Sequence, residues 1–324
     1  MTKRAARIAL LAPAALAGGA ALAASAHRPG LMGRADAGYW LAAVLIWLAA
    51  SLAARDLAAL EPRGPWARRA ARLWVPLLFG FLVLVLWEAI VVGAGVPAVL
   101  MPAPSSVAAR FASALPMLGA DLVQTFVKAA LPGYAIGCAS GFAAAILADR
   151  VPFLRRGLLP VADVASALPV VGIAPIMVMW FGFDWPSKAA VVAVMTFFPA
   201  LVQAGAGLAA TGRIERDLMR TYAAGHWRTL LLLRVPMALP FVFTALRVNA
   251  TLALIGAIVA EFFGTPIVGM GFRISIEAAR LSLDVVWAEI ALAALAGSAF
   301  YALVALIERA ATGWHPAMRG GSPA

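Results

Sequence analysis

Few polar residues in this chain could do chemistry, and spacing disqualifies most of them. None of the three lysines (Lys3, Lys128, Lys188) follows a glycine, so the G-x-x-x-x-G-K-[ST] loop that cradles nucleotide phosphates is absent. The chain cannot be its own P-loop ATPase. The three histidines, His27, His226 and His315, lie far apart and form no ligand motif. The single cysteine, Cys138, sits in an apolar run, which leaves neither a disulfide framework nor a thiolate metal site within one chain. Gly205-Ala206-Gly207-Leu208-Ala209-Ala210 imitates a dinucleotide fingerprint, but no strand precedes it. No Ser/His/Asp or His/Glu constellation falls on neighbouring segments, so no catalytic residue, metal site or bound cofactor is expected.

What remains is charge in apolar surroundings. Thr244, Arg247, Thr251 and Glu261 fall within about 100° of one another on a helical wheel, a single polar stripe on an otherwise apolar segment. An arginine at mid-bilayer costs about 2.5–3.5 kcal/mol on insertion scales, so Arg247 should face protein or water. The stripe reads either as the lining of a solute path, where Arg247 would favour an anion, or as a structural ion pair or a snorkelling side chain. Glu88 interrupts another apolar run and is a candidate partner for one of these charges. The other concentration of charge is Arg213–Pro240, which carries Arg213, Arg216, Arg220, Arg228 and Arg234. Within it Arg213, Arg216, Asp217 and Arg220 share one helical face, with Ile214, Leu218 and Tyr222 roughly opposite. This pattern predicts a short amphipathic helix at the membrane surface, a break at Gly225, and a second helix that enters the bilayer. A partner is expected to dock there.

The elements that position these residues are membrane spans. The chain has 324 residues, 64% of them apolar and 13% charged, with a mean hydropathy of +0.92. Soluble domains carry about 25% charged residues. The net charge of +11 is no nucleic-acid signal, because the arginines cluster between hydrophobic runs and not along one soluble face. Eight runs reach spanning length: Ile8–Ala26, Gly38–Ala54, Trp74–Val96, Leu122–Leu147, Leu158–Phe183, Ala189–Ala210, Phe241–Phe263 and Val286–Ile307. The first follows Lys3, Arg4 and Arg7 and reads as half of an uncleaved hairpin. The alternative is a secretory signal with its small-residue cleavage site at Ala24-Ser25-Ala26. Pro169 and Pro175 should kink or break Leu158–Phe183. Gly133, Gly137 and Gly141 form a GxxxGxxxG ridge that lets another helix approach closely. Residues 1–55 thus form a two-span extension, 56–73 a basic linker, 74–312 the main transmembrane domain and 313–324 a short tail.

With both ends inside, eighteen of the 26 Lys and Arg residues lie on the inner side and seven on the outer, leaving Arg247 buried. That asymmetry puts Arg213–Pro240 in the cytoplasm.

The chain resembles the inner-membrane permease subunits of binding-protein-dependent ABC importers, in particular their nitrate/sulfonate/taurine branch, over about residues 74–312. That family carries a cytoplasmic E-A-A-x-x-x-G pattern followed by a downstream L-P. The matching segment here is Asp217-Leu218-Met219-Arg220-Thr221-Tyr222-Ala223, then Trp227, Pro236, Leu239 and Pro240. Three further stretches are similar to the branch. These are Leu86-Trp87-Glu88 with Met101-Pro102-Ala103-Pro104-Ser105; Leu168-Pro169 to Trp180-Phe181-Gly182; and Val259-Ala260-Glu261 with Gly269-Met270-Gly271. The motif itself departs from the pattern: Asp217 stands for the glutamate, Leu218 and Met219 for the two alanines, and Ala223 for the glycine.

The resemblance implies an all-α integral membrane protein, a six-span type I permease core behind two extra spans, in a bacterial inner membrane. It implies a coupling helix (Arg213, Arg216, Asp217, Leu218, Met219, Arg220, Tyr222, Ala223, Gly225) that inserts into a groove on a separate cytoplasmic ATPase. ATP and magnesium would be held by that ATPase, a periplasmic or extracellular binding protein would deliver the solute, and the permease would form a homodimer. The solute would be small, an anion such as a sulfonate, taurine or nitrate being the one that Arg247 could favour. The alternative is a secondary transporter driven by an ion gradient, for which the second broken span of an inverted repeat is missing.

Overall fold

The computed structural model of the chain describes residues 37–58, 65–165, 169–264 and 267–314. Among these it is all-helical, with no strand. The expected span Ile8–Ala26 and most of the tail lie outside the described residues. Eleven helices follow in order: α1 (Ala37–Ala58), α2 (Pro65–Gly93), α3 (Pro104–Ser113), α4 (Leu115–Arg150), α5 (Pro152–Ala165), α6 (Val170–Phe181), α7 (Trp185–Ala209), α8 (Arg213–Thr221), α9 (His226–Glu261), α10 (Met270–Ala279) and α11 (Leu283–Thr312). Helices α4 and α9 contain π-helical turns at Val123–Ala130 and Leu230–Arg234.

Among the described residues six helices are long and apolar enough to cross a membrane: α1, α2, α4, α7, α9 and α11. Leu158–Phe183, counted as one span that its prolines should kink or break, is broken. It is divided between α5 and α6, which have 14 and 12 residues. Pro169 is the reason: it caps α6 in an extended conformation, φ −70° and ψ 121°, and its ring cannot continue a helix. Pro175, Pro199 and Pro240 are accommodated inside helices. Helices α4 and α9 each run 36 residues. At 1.5 Å per residue that is about 54 Å, well beyond a hydrocarbon core of about 30 Å.

The residues divide into two compact units. The first holds the described residues up to Ser113 together with Arg280–Ala288. In it α1 and α2 form an antiparallel pair. Ala50 packs with Leu82 at one end, Tyr39 with Ala89 at the other, and the Tyr39 hydroxyl donates to the Ala89 carbonyl at 2.9 Å. Arg110 pairs with Asp284 at 2.7 Å, and the rings of Trp87 and Trp287 lie 4.7 Å apart.

The second unit, Ala114–Ala279 with the residues from Glu289 on, is built on the contact of α4 with α7. Gly133, Gly137 and Gly141 are buried and face α7. A Cβ on Gly133 would stand 2.5 Å from the Ala189 carbonyl oxygen, and one on Gly141 the same distance from that of Phe197. Small residues continue the interface: Ala129 and Ala130 of α4, Val192 of α7, and Ala253 and Ala257 of α9 form one buried cluster. Lipid offers helices no hydrophobic reason to associate, so close packing and interhelical hydrogen bonds must hold them. Asn249 supplies the latter, donating from α9 to the Thr196 carbonyl at 2.8 Å and to Cys138 Sγ at 3.2 Å. Replacing Gly137 by valine should cost about 2–3 kcal/mol through overpacking. The expected result is a clear loss of thermal stability and of monodisperse protein in detergent, and an unchanged melting curve would refute the close contact.

Candidate functional site

Helix α8 is nine residues long and none of them is buried. Ile214 and Leu218 of this helix and Tyr222, which caps its end, are all exposed, Tyr222 by 76%, while Met219 is half-buried. Its polar bonds are local. Arg220 pairs with Asp217 at 3.1 Å, Arg216 donates to the Gly212 carbonyl, and the Thr221 hydroxyl to that of Leu218. Arg213 and Met219 lie on the same helix, and Gly225 caps the start of α9.

The helix ends in a fully formed Schellman turn. The Ala224 N–H reaches the Met219 carbonyl at 3.0 Å and the Ala223 N–H that of Arg220 at 2.9 Å. This turn needs a left-handed residue, and Ala223 takes it at φ 51°. Alanine therefore stands where glycine would sit without strain, and the turn forms regardless.

The polar stripe of α9 does not stay together as an open surface. Arg247 pairs with Glu308 of α11 at 3.1 Å, the Thr244 hydroxyl turns back to the Pro240 carbonyl, and Thr251 is exposed with its hydroxyl on the Val248 carbonyl. Glu261 is buried elsewhere. It accepts from the Thr125 hydroxyl at 2.8 Å and from the Gly271 N–H at 2.7 Å. Glu88, considered as a partner for these charges, instead accepts from the backbone N–H of Ser105 at 2.9 Å and its hydroxyl at 2.8 Å, holding the first turn of α3. The paired motif stretches are therefore clasps. Leu86-Trp87-Glu88 meets Pro104-Ser105, and Val259-Ala260-Glu261 meets Gly269-Met270-Gly271. Gly269 has φ 139°, and a Cβ on it would stand 2.6 Å from the Glu261 carboxylate, so only glycine fits there.

Sequence reasoning missed the partners of Glu261. Asp121 and Thr125 lie one turn apart on α4, both fully buried, a spacing that could have marked them as one polar face. Asp121 accepts from the Gly269 N–H at 2.7 Å and from Arg273 Nε at 2.9 Å, while the Met270 N–H reaches the Thr125 hydroxyl at 2.8 Å. Lys188 is buried and donates to the Phe183 carbonyl at 2.5 Å. Glu289 of α11 is buried beside Asp121, itself an acceptor, and no donor among the described residues reaches its oxygens. Next to this cluster a cavity of about 1000 Å³ is lined by Val123, Gln124, Lys128, Phe183, Asp184 and Val268, among others. Asp184 accepts from the Trp185 N–H at 2.8 Å and from Gln124 at 3.2 Å. Chiefly the Trp185 bond, and less so Gln124, Lys128 and Lys188, hold its carboxyl below the usual carboxylate range.

Replacing Ala223 by glycine should relieve about 1 kcal/mol of left-handed strain. Amide exchange across residues 213–221 is expected to slow, and faster exchange would mean that the turn does not persist in the membrane. Replacing Glu289 by glutamine keeps the side-chain shape and offers Asp121 an N–H donor, so the melting temperature should be unchanged or raised, a stabilisation of up to about 2 kcal/mol. A lower melting temperature would show that a donor holds the carboxylate.

Residues 137–313 match the family described as binding-protein-dependent transport system inner membrane component. The chain is 32% identical over 235 residues to the riboflavin transport system permease protein RibX of Chloroflexus aurantiacus, covering 72% of this chain and 87% of that protein. It is 33% identical over 201 residues to the formylaminopyrimidine transport permease protein ThiX of Halalkalibacterium halodurans, covering 61% and 78%. With the taurine transport system permease protein TauC of Escherichia coli it shares 26% over 194 residues, covering 60% and 67%. Such permeases are non-catalytic, and the ATPase activity lies in a separate subunit. This chain, a multi-pass inner-membrane protein, belongs to the permease family of binding-protein-dependent ABC importers.

Proposed function

We propose that this permease forms, as a homodimer, the translocation pathway of an importer driven by a cytoplasmic ATPase that docks on α8, with ATP and magnesium bound by that ATPase. The observation that carries the reading is the exposure of α8. An amphipathic helix with no buried residue joins two long spans, and Ile214, Leu218 and Tyr222 on its apolar side are exposed among the described residues. The excess of arginine on this side supports a cytoplasmic location, with both termini on the same side. An external binding protein delivers the solute.

For the solute, the ground for an anion is weakened by the geometry, because Glu308 neutralises Arg247. The more similar relatives are named for riboflavin and formylaminopyrimidine transport, and those named for taurine and aliphatic sulfonates are less similar. Both considerations support a small nitrogen heterocycle.

Two experiments bear on this. Deleting residues 217–223, or replacing Tyr222 by glutamate, should leave membrane insertion intact and abolish recovery of the ATPase with the permease. For the point variant the loss should be about 2 kcal/mol or more, roughly thirtyfold in affinity. An ATPase that still co-purified with Y222E would overturn the docking assignment. Cells dependent on this transporter should accumulate radiolabelled formylaminopyrimidine or riboflavin in preference to taurine, and the reverse preference would restore the anion.

A further inference from the structure

Helix α8 makes no polar bond to the spans among the described residues, so any force on it must pass through its two chain connections. Those connections meet at one side chain. Arg234, at the end of the π-helical turn of α9, donates from Nε and Nη2 to the Leu208 carbonyl, at 3.2 and 2.9 Å. Leu208 belongs to the last turn of α7, whose final carbonyls have no partner within the helix. The same guanidinium grips Asp149 with both terminal nitrogens, at 2.5 and 2.7 Å. Arg234 thereby joins the helix that enters the α8 segment, the helix that leaves it, and α4.

Two features separate this group from an incidental surface pair. Both side chains are largely buried, 13% and 14% exposed, and Leu208, whose carbonyl Arg234 binds, belongs to a buried apolar cluster with Leu230 and Ala238. Asp149 also lies in the last turn of α4, where the helix dipole disfavours a carboxylate, so its placement there depends on the guanidinium. A two-pronged Arg–carboxylate pair fixes orientation as well as distance, which a lysine cannot do.

We propose that Arg234 is a positioning residue for transport: with Asp149 and the Leu208 carbonyl it makes the root of the α8 segment rigid, so that displacement of α8 moves α4, α7 and α9 together. This rests on the docking role proposed above. Without the brace, α8 would move against the spans on its own connections, and ATP hydrolysis would continue without rearranging the path.

The test needs no knowledge of the solute. The permease, reconstituted in nanodiscs with the ATPase that co-purifies with it, is compared with and without Mg-ATP and orthovanadate by amide hydrogen exchange. In the unmodified protein the nucleotide state should alter exchange in residues 131–150 and 235–261. In Arg234→Lys the ATPase should remain bound and hydrolyse ATP, while the nucleotide-dependent change in those spans falls about fivefold or more and persists only in 210–225. The double variant Asp149→Asn/Arg234→Met leaves no lone buried charge and should behave the same way. Spans that respond as in the unmodified protein, in either variant, would overturn the proposal. So would loss of the ATPase from both variants, since the pair would then serve docking itself. If no ATPase binds the unmodified protein, it is the docking assignment that fails.

Discussion

The close approach of α4 to α7 is the constraint on which the second unit depends. The glycine ridge leaves no room for a side-chain carbon between α4 and the α7 backbone, so dispersion contacts run along the whole length of two spans. In water such a seam would be reinforced by the hydrophobic effect. In lipid it must carry the association itself, together with the few hydrogen bonds that cross it. Asn249 draws α9 onto this pair at the level of Cys138 and Thr196, and Tyr134 of α4 adds a bond to the Leu246 carbonyl.

Once the spans are fixed, buried carboxylates hold the connections. Glu88 captures the start of α3, while Asp121 and Glu261 between them hold Gly269, Gly271 and Arg273 at the start of α10. Helix N-termini carry unpaired N–H groups and a partial positive charge, so an acceptor placed there satisfies the backbone and the dipole at once. At the opposite, arginine-rich end the roles reverse, and Arg234 satisfies a C-terminal carbonyl. Polar groups that a hydropathy reading treats as interruptions are thus the fastenings of an apolar scaffold.

Against this background α8 differs in kind. Its residues contribute nothing to the core, and its end is shaped by a turn that alanine adopts at some cost in strain. Leu218 and Met219 are bulkier than the family pattern, and a left-handed Ala223 closes the turn where that pattern has glycine.

The spans, the amphipathic helix and the packing ridge were legible in the sequence because each is a local pattern: run length against bilayer thickness, a 100° periodicity in residues 213–222, and small residues four apart at 133, 137 and 141. The missing P-loop motif was legible for the same reason. Pairings were not. Arg247 could have faced a path or a partner, and only the fold brings Glu308 to it across a separation of 61 residues in the chain. Glu88 and Glu261 stood out as charges in apolar runs, yet their partners are hydroxyls and backbone N–H groups of other segments, and every residue type but proline carries a backbone N–H. The break in Leu158–Phe183 was foreseeable at Pro169, whereas Pro199 and Pro240 were absorbed, because neighbouring helices decide whether a lost hydrogen bond can be borne. Composition and periodicity determined what this chain is; which charges are satisfied, and by whom, was decided by long-range packing that no local pattern encodes.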